Sequence, residues 1–271
     1  MMDQVVINSE GFPINGWRTD LENFDALNEI GDAYRGWQDA VAGRYSAPAV
    51  LNRRWLRTEN QGQQGSCQGQ ASCEVGEVCF SIANAGKITQ FSAQFNYIES
   101  QRFDGLIGQD QGSTLYGGAK VLQQLGCCPE PTWPYTGQYH TKPPKGRETC
   151  LAAAAPFKIK TVVRLRSYKE IFDWLAGGLG SVWVGRRVGW NGGHATHLAG
   201  YTARKDAKGR NFIDEHNSWG VTWGDKGWKE RSPDEVTSWF TDKYTVVLGA
   251  SDMSTLNPRP VDFAKDSIFK L

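Results

Sequence analysis

The hydrophobic pattern of this chain changes character near residue 180. Before that point, apolar residues recur at intervals of three and four, which predicts helices, as in the segments that follow Cys67 and Ser92. After it come short β-branched or aromatic runs separated by glycine, which predict strands: SVWV, HATHLAGYTA, NFIDEHNSWG and KYTVVLGAS. We therefore expect an α+β protein with a helical lobe, then a β lobe, and a groove between them in which a substrate can bind.

Helix-start and helix-stop signals bound the helical segments. Ser113 is expected to cap a third helix, which Gly126 ends. Ser167 and Glu170 form a capping box before a further helix in the second half of the chain. These signals predict several separate helices.

Composition excludes several classes of protein. The chain has 271 residues, 39% of them hydrophobic and 22% charged, which is typical of a globular protein. A formal net charge of +1 gives no reason to expect nucleic acid or an anionic membrane as a partner. We see no apolar run long enough to cross a bilayer and no secretory signal. We therefore expect cytoplasmic synthesis, with later incorporation into a phage particle left open.

The six cysteines are irregularly spaced and too sparse for a disulfide scaffold. They include no Cys-x-x-Cys pair, so a zinc ribbon is not expected. Cys73 and Cys79 fall within one helical pattern and are interpreted as small core residues. The six positions are Cys67, Cys73, Cys79, Cys127, Cys128 and Cys150.

Cys67 is different because it follows a glycine-rich approach, GQQGSC, and stands where a helical pattern begins. Unpaired N–H groups and the dipole at a helix N-terminus stabilise a thiolate, which is the nucleophilic form of cysteine. A histidine would complete the activation, and a third polar group would orient that histidine. His194, in NGGHATHLAGY, and Asn217, in HNSWGVTWGDKGW, are the downstream candidates.

In these motifs the chain resembles the papain-like cysteine peptidases, most closely the compact bacterial and phage members. Gln61 and Gly62 stand six and five residues before Cys67, as in that family, and His194 precedes an alternating strand that ends in Gly-Tyr. Asn217 opens an Asn-Ser-Trp-Gly motif that Trp-Gly and Gly-Trp pairs follow. The resemblance covers about residues 46–253.

The resemblance implies a two-lobe fold with a helical lobe over about 46–155 and an antiparallel β-barrel-like lobe over about 156–253. It implies Cys67 as nucleophile, His194 as its base and Asn217 as the residue that orients the imidazole. The side chain of Gln61 and the Cys67 N–H would form an oxyanion hole. The substrate-binding residues that it suggests are Gly112 and Ser113 for the peptide backbone, Trp219 as a shield over the His–Asn bond, and Val184 with Gly192 for a side-chain pocket.

Two departures from the family pattern bear on these expectations. Gln68 stands where the family usually has tryptophan, and Gln63 stands where it often has a disulfide-bonded cysteine. We therefore expect all six cysteines to be reduced. The connection from SVWV to His194 is short, which predicts a more open cleft on that side.

Two pairs of residues allow a second interpretation. His194 and His197 could be a metal pair, but three positions apart on a strand they point to opposite faces, so no metal and no cofactor is expected. His197 is then a surface or core residue. Arg186 and Arg187 could attract acidic substrate residues, although a solvated loop is favoured.

The function expected is a cysteine endopeptidase acting on a peptide or protein substrate. A papain-fold structural or assembly protein, such as a phage virion component, is the main alternative, favoured by Gln68 and the terminal extensions. A cell-wall peptidase is disfavoured because no wall-binding repeat is visible. A transglutaminase-like acyl transferase is disfavoured because Asn217 stands where such enzymes usually have Asp.

The two ends lie outside the resemblance. Residues 1–45 form an arm with net charge −5, whereas the remainder carries +6. A helical stripe over 20–42, with Thr19 or Asp20 as cap, needs burial. The arm is shorter than the inhibitory prodomain of the family. We therefore expect it to support the fold or anchor a larger assembly rather than cover Cys67, and expect the apolar extension 254–271 to pack similarly.

Overall fold

A computed structural model describes residues 7, 13–14, 16–27, 47, 49–188 and 192–253. Between residues 49 and 158, the α-helices are α1 Cys67–Ala83, α2 Ala93–Asp104, α3 Leu115–Lys120 and α4 Arg147–Ala154. A π-helical turn, Val121–Leu125, extends α3, and Gly126 ends it with a φ of +95°. The predicted helical first half is confirmed. The last extension, 254–271, lies outside the described residues.

The predicted helix caps are confirmed in part. The Ser92 hydroxyl accepts from the Phe95 N–H at 3.0 Å, as expected. The cap of α3 is Thr114 rather than Ser113, because the Thr114 hydroxyl accepts from the Gly117 N–H at 2.8 Å. The Ser113 hydroxyl instead donates to Gln68 Oε1 at 2.8 Å, so it is held by the residue that replaces the family's tryptophan.

The strands are β1 Val50–Leu51, β2 Ile159–Leu165, β3 Gly180–Val188, β4 Gly192–Lys205, β5 Asn211–His216, β6 Trp228–Arg231 and β7 Val246–Met253. They form one antiparallel sheet with the order β2-β7-β3-β4-β5-β6, and β1 pairs with β4.

Two helices lie in the second half of the chain, α5 Tyr168–Ala176 and α6 Pro233–Trp239. Helix α5 has the predicted cap: the Ser167 hydroxyl accepts from the Glu170 N–H at 3.1 Å, while the Glu170 carboxylate accepts from the Arg166 N–H.

Helix α1 joins the two lobes. Its buried side chains, among them Val75 and Cys79, share a core with Trp183 of β3, Ala195 of β4 and Leu248 of β7. A second core lies between the sheet and helices α5 and α6; it includes Val163, Ile171, Trp174, Val182, Leu198, Val236 and Val247. Because α1 packs directly on the sheet, its first residue, Cys67, lies against β4.

The described part of the arm packs on both lobes. Trp17 and Leu27 are buried in the core that contains α1, and Ile14 packs against Trp219 and Trp223. Residues 24–27 are helical, and the cap is Asn23, whose Oδ1 accepts from the Ala26 N–H at 2.9 Å. The prediction of Thr19 or Asp20 as the cap is therefore wrong. The rest of the predicted helix, 28–42, lies outside the described residues.

The structure also shows the state of the cysteines, the positions of Arg186 and Arg187, and the character of the helices. All six cysteines are buried and have free thiols. Neither arginine of β3 lies in a solvated loop: Arg186 forms a buried ion pair with Glu215, and Arg187 bonds Asp242 at 2.8 Å. No described helix combines the length and apolar character that a membrane crossing requires.

Candidate active site

Cys67 is the first residue of α1 and is fully buried. Its Sγ accepts a hydrogen bond from the backbone N–H of Ala195, on β4, at 3.3 Å. Ser66, the residue before it, makes no side-chain cap to the helix, so the first-turn N–H groups stay directed toward the thiol end. The thiol thus lies between a helix N-terminus and the residue that follows His194.

His194 and Asn217 lie together on neighbouring segments. The His194 Nε2 is 2.8 Å from Asn217 Oδ1, and the Trp219 ring stacks on the imidazole at 4.4 Å between centroids. The other ring nitrogen, His194 Nδ1, makes no hydrogen bond within the described residues. Since Asn217 orients Nε2, Nδ1 is the atom that can exchange a proton with a thiol.

Hydrogen bonds fix both the side chain and the backbone of Gln61. Its Oε1 accepts from the Ser218 hydroxyl at 2.7 Å, and its Nε2 donates to the Gln64 carbonyl at 2.9 Å. Its backbone N–H donates to the Ser218 carbonyl at 2.8 Å. An amide nitrogen has two protons, so one proton of the Gln61 side chain is available to an additional acceptor.

Burial keeps both reactive groups uncharged in this conformation. Burial raises the pKa of the Cys67 thiol to about 12, against the opposing effect of the backbone N–H groups of Ala195 and Gln68. Burial also lowers the pKa of His194 to about 4, although the bond to Asn217 favours its charged form. A neutral Cys67 thiol and a neutral His194 imidazole follow for this conformation.

The cause of this burial is the arm, which crosses directly over Cys67. Gly16 approaches the thiol so closely that an added Cβ would overlap Sγ. On either side of Trp17, the arm pairs with Ser113: the Ser113 N–H donates to the Gly16 carbonyl at 3.1 Å, and the Arg18 N–H donates to the Ser113 carbonyl at 3.0 Å. The expectation that the arm leaves Cys67 uncovered is therefore wrong. Five extended residues span about 17 Å, so a short arm suffices to cross the cleft.

Trp17 fixes the arm in the cleft. Its side chain is only 2% exposed and lies over Gly185 and Gly193, where a Cβ on Gly185 would come within 2.7 Å of the indole. The indole N–H donates to Glu22 Oε2 at 2.7 Å. The same carboxylate accepts from the first N–H groups of α3, those of Leu115 at 2.7 Å and Tyr116 at 2.9 Å.

The other predicted binding residues do not all lie in the cleft. Ser113 lies at the cleft edge and Gly192 lies under Ile14, so both face the arm. The Gly112 backbone is bonded inside its own lobe, to Tyr97 and Gln101. Val184 lies away from the cleft, in the core with α5, because side chains alternate along β3 and it is Gly185 that faces Trp17.

Sequence reasoning did not identify Gly16, Trp17 or Glu22 as cleft residues. No spacing rule relates them to Cys67, and only the small-large pair Gly-Trp in the arm is a signal in retrospect. It also missed a buried cluster of Glu74, His197 and His216. His197 is a core residue, one of the two expectations for it, and faces α1 rather than His194.

No protein-family model and no curated protein matches the chain. Among solved structures, the cysteine protease Amb a 11 of ragweed pollen, in its proform, is 18% identical with a TM-score of 0.61, over 86% of this chain and 77% of that one. Xylellain, a cysteine protease from Xylella fastidiosa, is 21% identical with a TM-score of 0.60, over 81% and 89%. Digestive procathepsin L 3 of Tenebrio molitor is 18% identical with a TM-score of 0.61, over 78% and 72%. The predicted fold is thus confirmed: the chain has the two-lobe α+β fold of the papain-like cysteine proteases.

Proposed function

We propose that this protein is a cysteine endopeptidase that hydrolyses peptide bonds through a thioester on Cys67. The observation that carries the proposal is that the helix-terminal thiol of Cys67 bonds the backbone N–H of Ala195, the residue after His194, while His194 Nε2 lies 2.8 Å from Asn217 Oδ1. Solved cysteine proteases of the same fold support it. The substrate is a peptide or protein, and no cofactor takes part in the reaction.

In the proposed mechanism, His194 Nδ1 takes the Cys67 proton and the thiolate attacks the substrate carbonyl carbon. The oxyanion that forms accepts from the Cys67 N–H and from the Gln61 amide, a donor pair worth about 3 kcal/mol per member. The imidazolium then protonates the departing amine. Water, deprotonated by His194, hydrolyses the thioester and restores the thiol.

The arm is the inhibitor of this site in the proposal. The departing amine must lie beside His194, on the side of Trp219, and the acyl part of a substrate must lie toward Ser113. The acyl part precedes the scissile bond in sequence, yet the arm has Ile14 near Trp219 and Trp17 near Ser113. The arm therefore runs opposite to a productive substrate, which explains how it can cover the thiol without being cut there.

The proposal is tested on a chain that lacks residues 2–18. This truncation removes Ile14, Gly16 and Trp17 but keeps Glu22, which binds the α3 N-terminus, and the buried Leu27. We expect it to hydrolyse an unstructured protein substrate, and we expect Cys67→Ala to abolish the hydrolysis. Cys73→Ala, a buried thiol elsewhere on α1, is the matched control and should retain it.

A second candidate is a papain-fold structural or assembly protein with little peptidase activity. Coverage of Cys67 by the arm favours this function, because a thiol that stays covered cannot react with a substrate. The same truncation separates the two functions. A folded, truncated chain that cleaves no unstructured protein and reacts with no thiol reagent would replace the peptidase with the structural role, and the arm would then be an integral part of the cleft wall.

A further inference from the structure

A second cluster of reactive side chains lies behind the active site, between α1 and the sheet. It consists of Glu74 on α1, His197 on β4 and His216 on β5, each at most 2% exposed. His197 and His216 are direct cross-strand partners, so their imidazoles lie side by side. One ligand atom from each of the three residues lies within 4.8 Å of the other two. The mechanism proposed above uses none of them.

The distances within the cluster are close to those between ligands of one metal ion. Glu74 Oε2 lies 2.9 Å from His216 Nδ1 and 3.1 Å from His197 Nδ1. Ligands bound to Zn²⁺ at 2.0–2.1 Å with tetrahedral angles are about 3.3 Å apart. The two Glu–His distances therefore need to lengthen by only a few tenths of an ångström, and the third pair of ligand atoms already lies within 4.8 Å.

The hydrogen bonds of the cluster are incomplete without such an ion. The His216 Nδ1 bonds Glu74, but the His197 Nδ1, although close to the same oxygen, does not point at it well enough to form a hydrogen bond. A cation would accept the lone pairs of both nitrogens. The far nitrogen of His197 contacts the Ser181 hydroxyl, which is the outer partner that a metal-binding histidine usually has.

Charge and donor type select the class of ion. The neighbouring acids of β5 are already neutralised, Asp214 by Arg53 and Glu215 by Arg186 and Arg231. Within the part of the chain that the structure describes, the Glu74 carboxylate pairs with the two imidazoles. Two imidazoles with one carboxylate suit Zn²⁺ and related transition metals, whereas Ca²⁺ and Mg²⁺ prefer oxygen ligands.

We propose that Glu74, His197 and His216 bind a divalent transition-metal ion of the Zn²⁺ class. The ion would tie α1, which begins at Cys67, to β4 and to β5, which carries His216 immediately before Asn217. Its role is structural, since the cluster is buried and Glu74 lies about two helical turns from Cys67 along α1. The proposal does not depend on peptidase activity.

The test uses the full chain without a polyhistidine tag and with Cys67→Ala, so that the active-site thiol cannot bind the metal. Zn²⁺ is measured by elemental analysis after dialysis, and Co²⁺ is titrated into the chelator-treated protein. We expect about one equivalent of either ion, visible cobalt bands without a thiolate charge-transfer band, and a melting temperature that falls on chelation. Glu74→Gln and His216→Gln should lose this binding, while His140→Gln, a histidine outside the cluster, should keep it.

Two results would overturn the proposal. One is a chelator-treated chain that binds neither Zn²⁺ nor Co²⁺ and melts at an unchanged temperature, which would leave a hydrogen-bonded Glu–His cluster. The other is cobalt binding with a thiolate band, or binding that persists in a folded Glu74→Gln protein, since either places the ion elsewhere. If the cluster variants do not fold, the stoichiometry and cobalt spectrum of the Cys67→Ala chain decide the matter.

Discussion

Replacement of Trp17 by alanine should release the arm and accelerate modification of Cys67. Trp17 is 2% exposed in the cleft, and its indole N–H bonds Glu22 at 2.7 Å. Truncation of a buried tryptophan costs about 3–5 kcal/mol. Because Trp17 contacts the cleft only when the arm is docked, most of this cost falls on docking rather than on the fold. At 1.4 kcal/mol per factor of ten, the docking constant falls by about 100-fold or more.

The assay is the rate at which an epoxide inhibitor of papain-like thiols modifies Cys67. If docking is fast relative to labelling, this rate is proportional to the fraction of chains with an open cleft, so it should rise by about 100-fold in Trp17→Ala, up to the rate of the chain lacking residues 2–18. Leu21→Ala is the matched control, because Leu21 is in the arm but is 44% exposed. Equal labelling rates in wild type and Trp17→Ala would refute the view that the arm governs access to Cys67.

Three further perturbations test the contact of the arm with Cys67, the pH dependence of docking and the oxyanion donor. Gly16→Ala should also speed labelling, because its Cβ would overlap Cys67 Sγ; an unchanged rate means that the arm does not rest on the thiol in solution. Burial raises the pKa of Glu22 to about 7, so docking takes up a proton, is strongest at acidic pH and weakens as pH rises through 7. Because Trp17 leaves this carboxylate when the arm undocks, the labelling rate of the wild type, divided by that of the truncated chain, should rise from pH 5 to pH 8, and a flat ratio, or one as steep in Glu22→Gln, contradicts this. In the truncated chain, Gln61→Ala should lower turnover about 100-fold with little effect on labelling, whereas equal losses of both would indicate a damaged site rather than a missing oxyanion donor.

The proposed catalytic residues could be identified from sequence because each of them sits in a local motif. Cys67 begins a helix, His194 lies in an alternating strand, and Asn217 and Trp219 belong to one short run of residues. A thiol nucleophile needs a histidine as its base and a polar residue that orients the histidine, and each of these residue types stands in one of the motifs. The division into a helical and a strand-rich half followed in the same way from hydrophobic periodicity.

What sequence could not predict depends on contacts between distant segments. The position of Gly16 over Cys67 is set by pairing with Ser113 and by a hole between Gly185 and Gly193 that fits Trp17, and no periodicity encodes either. The Glu74 cluster arises because α1 crosses β4 and β5 at one point. Val184 lies in the core and not in the predicted pocket, because a shift of one residue along a strand exchanges the cleft face for the core face.

Time-resolved intact-mass measurement of epoxide labelling, on the full chain and on the chain lacking residues 2–18, decides whether Cys67 is a nucleophile that the arm covers. We expect a single adduct, located on Cys67 by peptide mapping, absent from Cys67→Ala, and formed about 100-fold or more faster in the truncated chain. A folded, reduced, truncated chain that forms no adduct, or forms it on a different cysteine, would show that Cys67 is not the nucleophile.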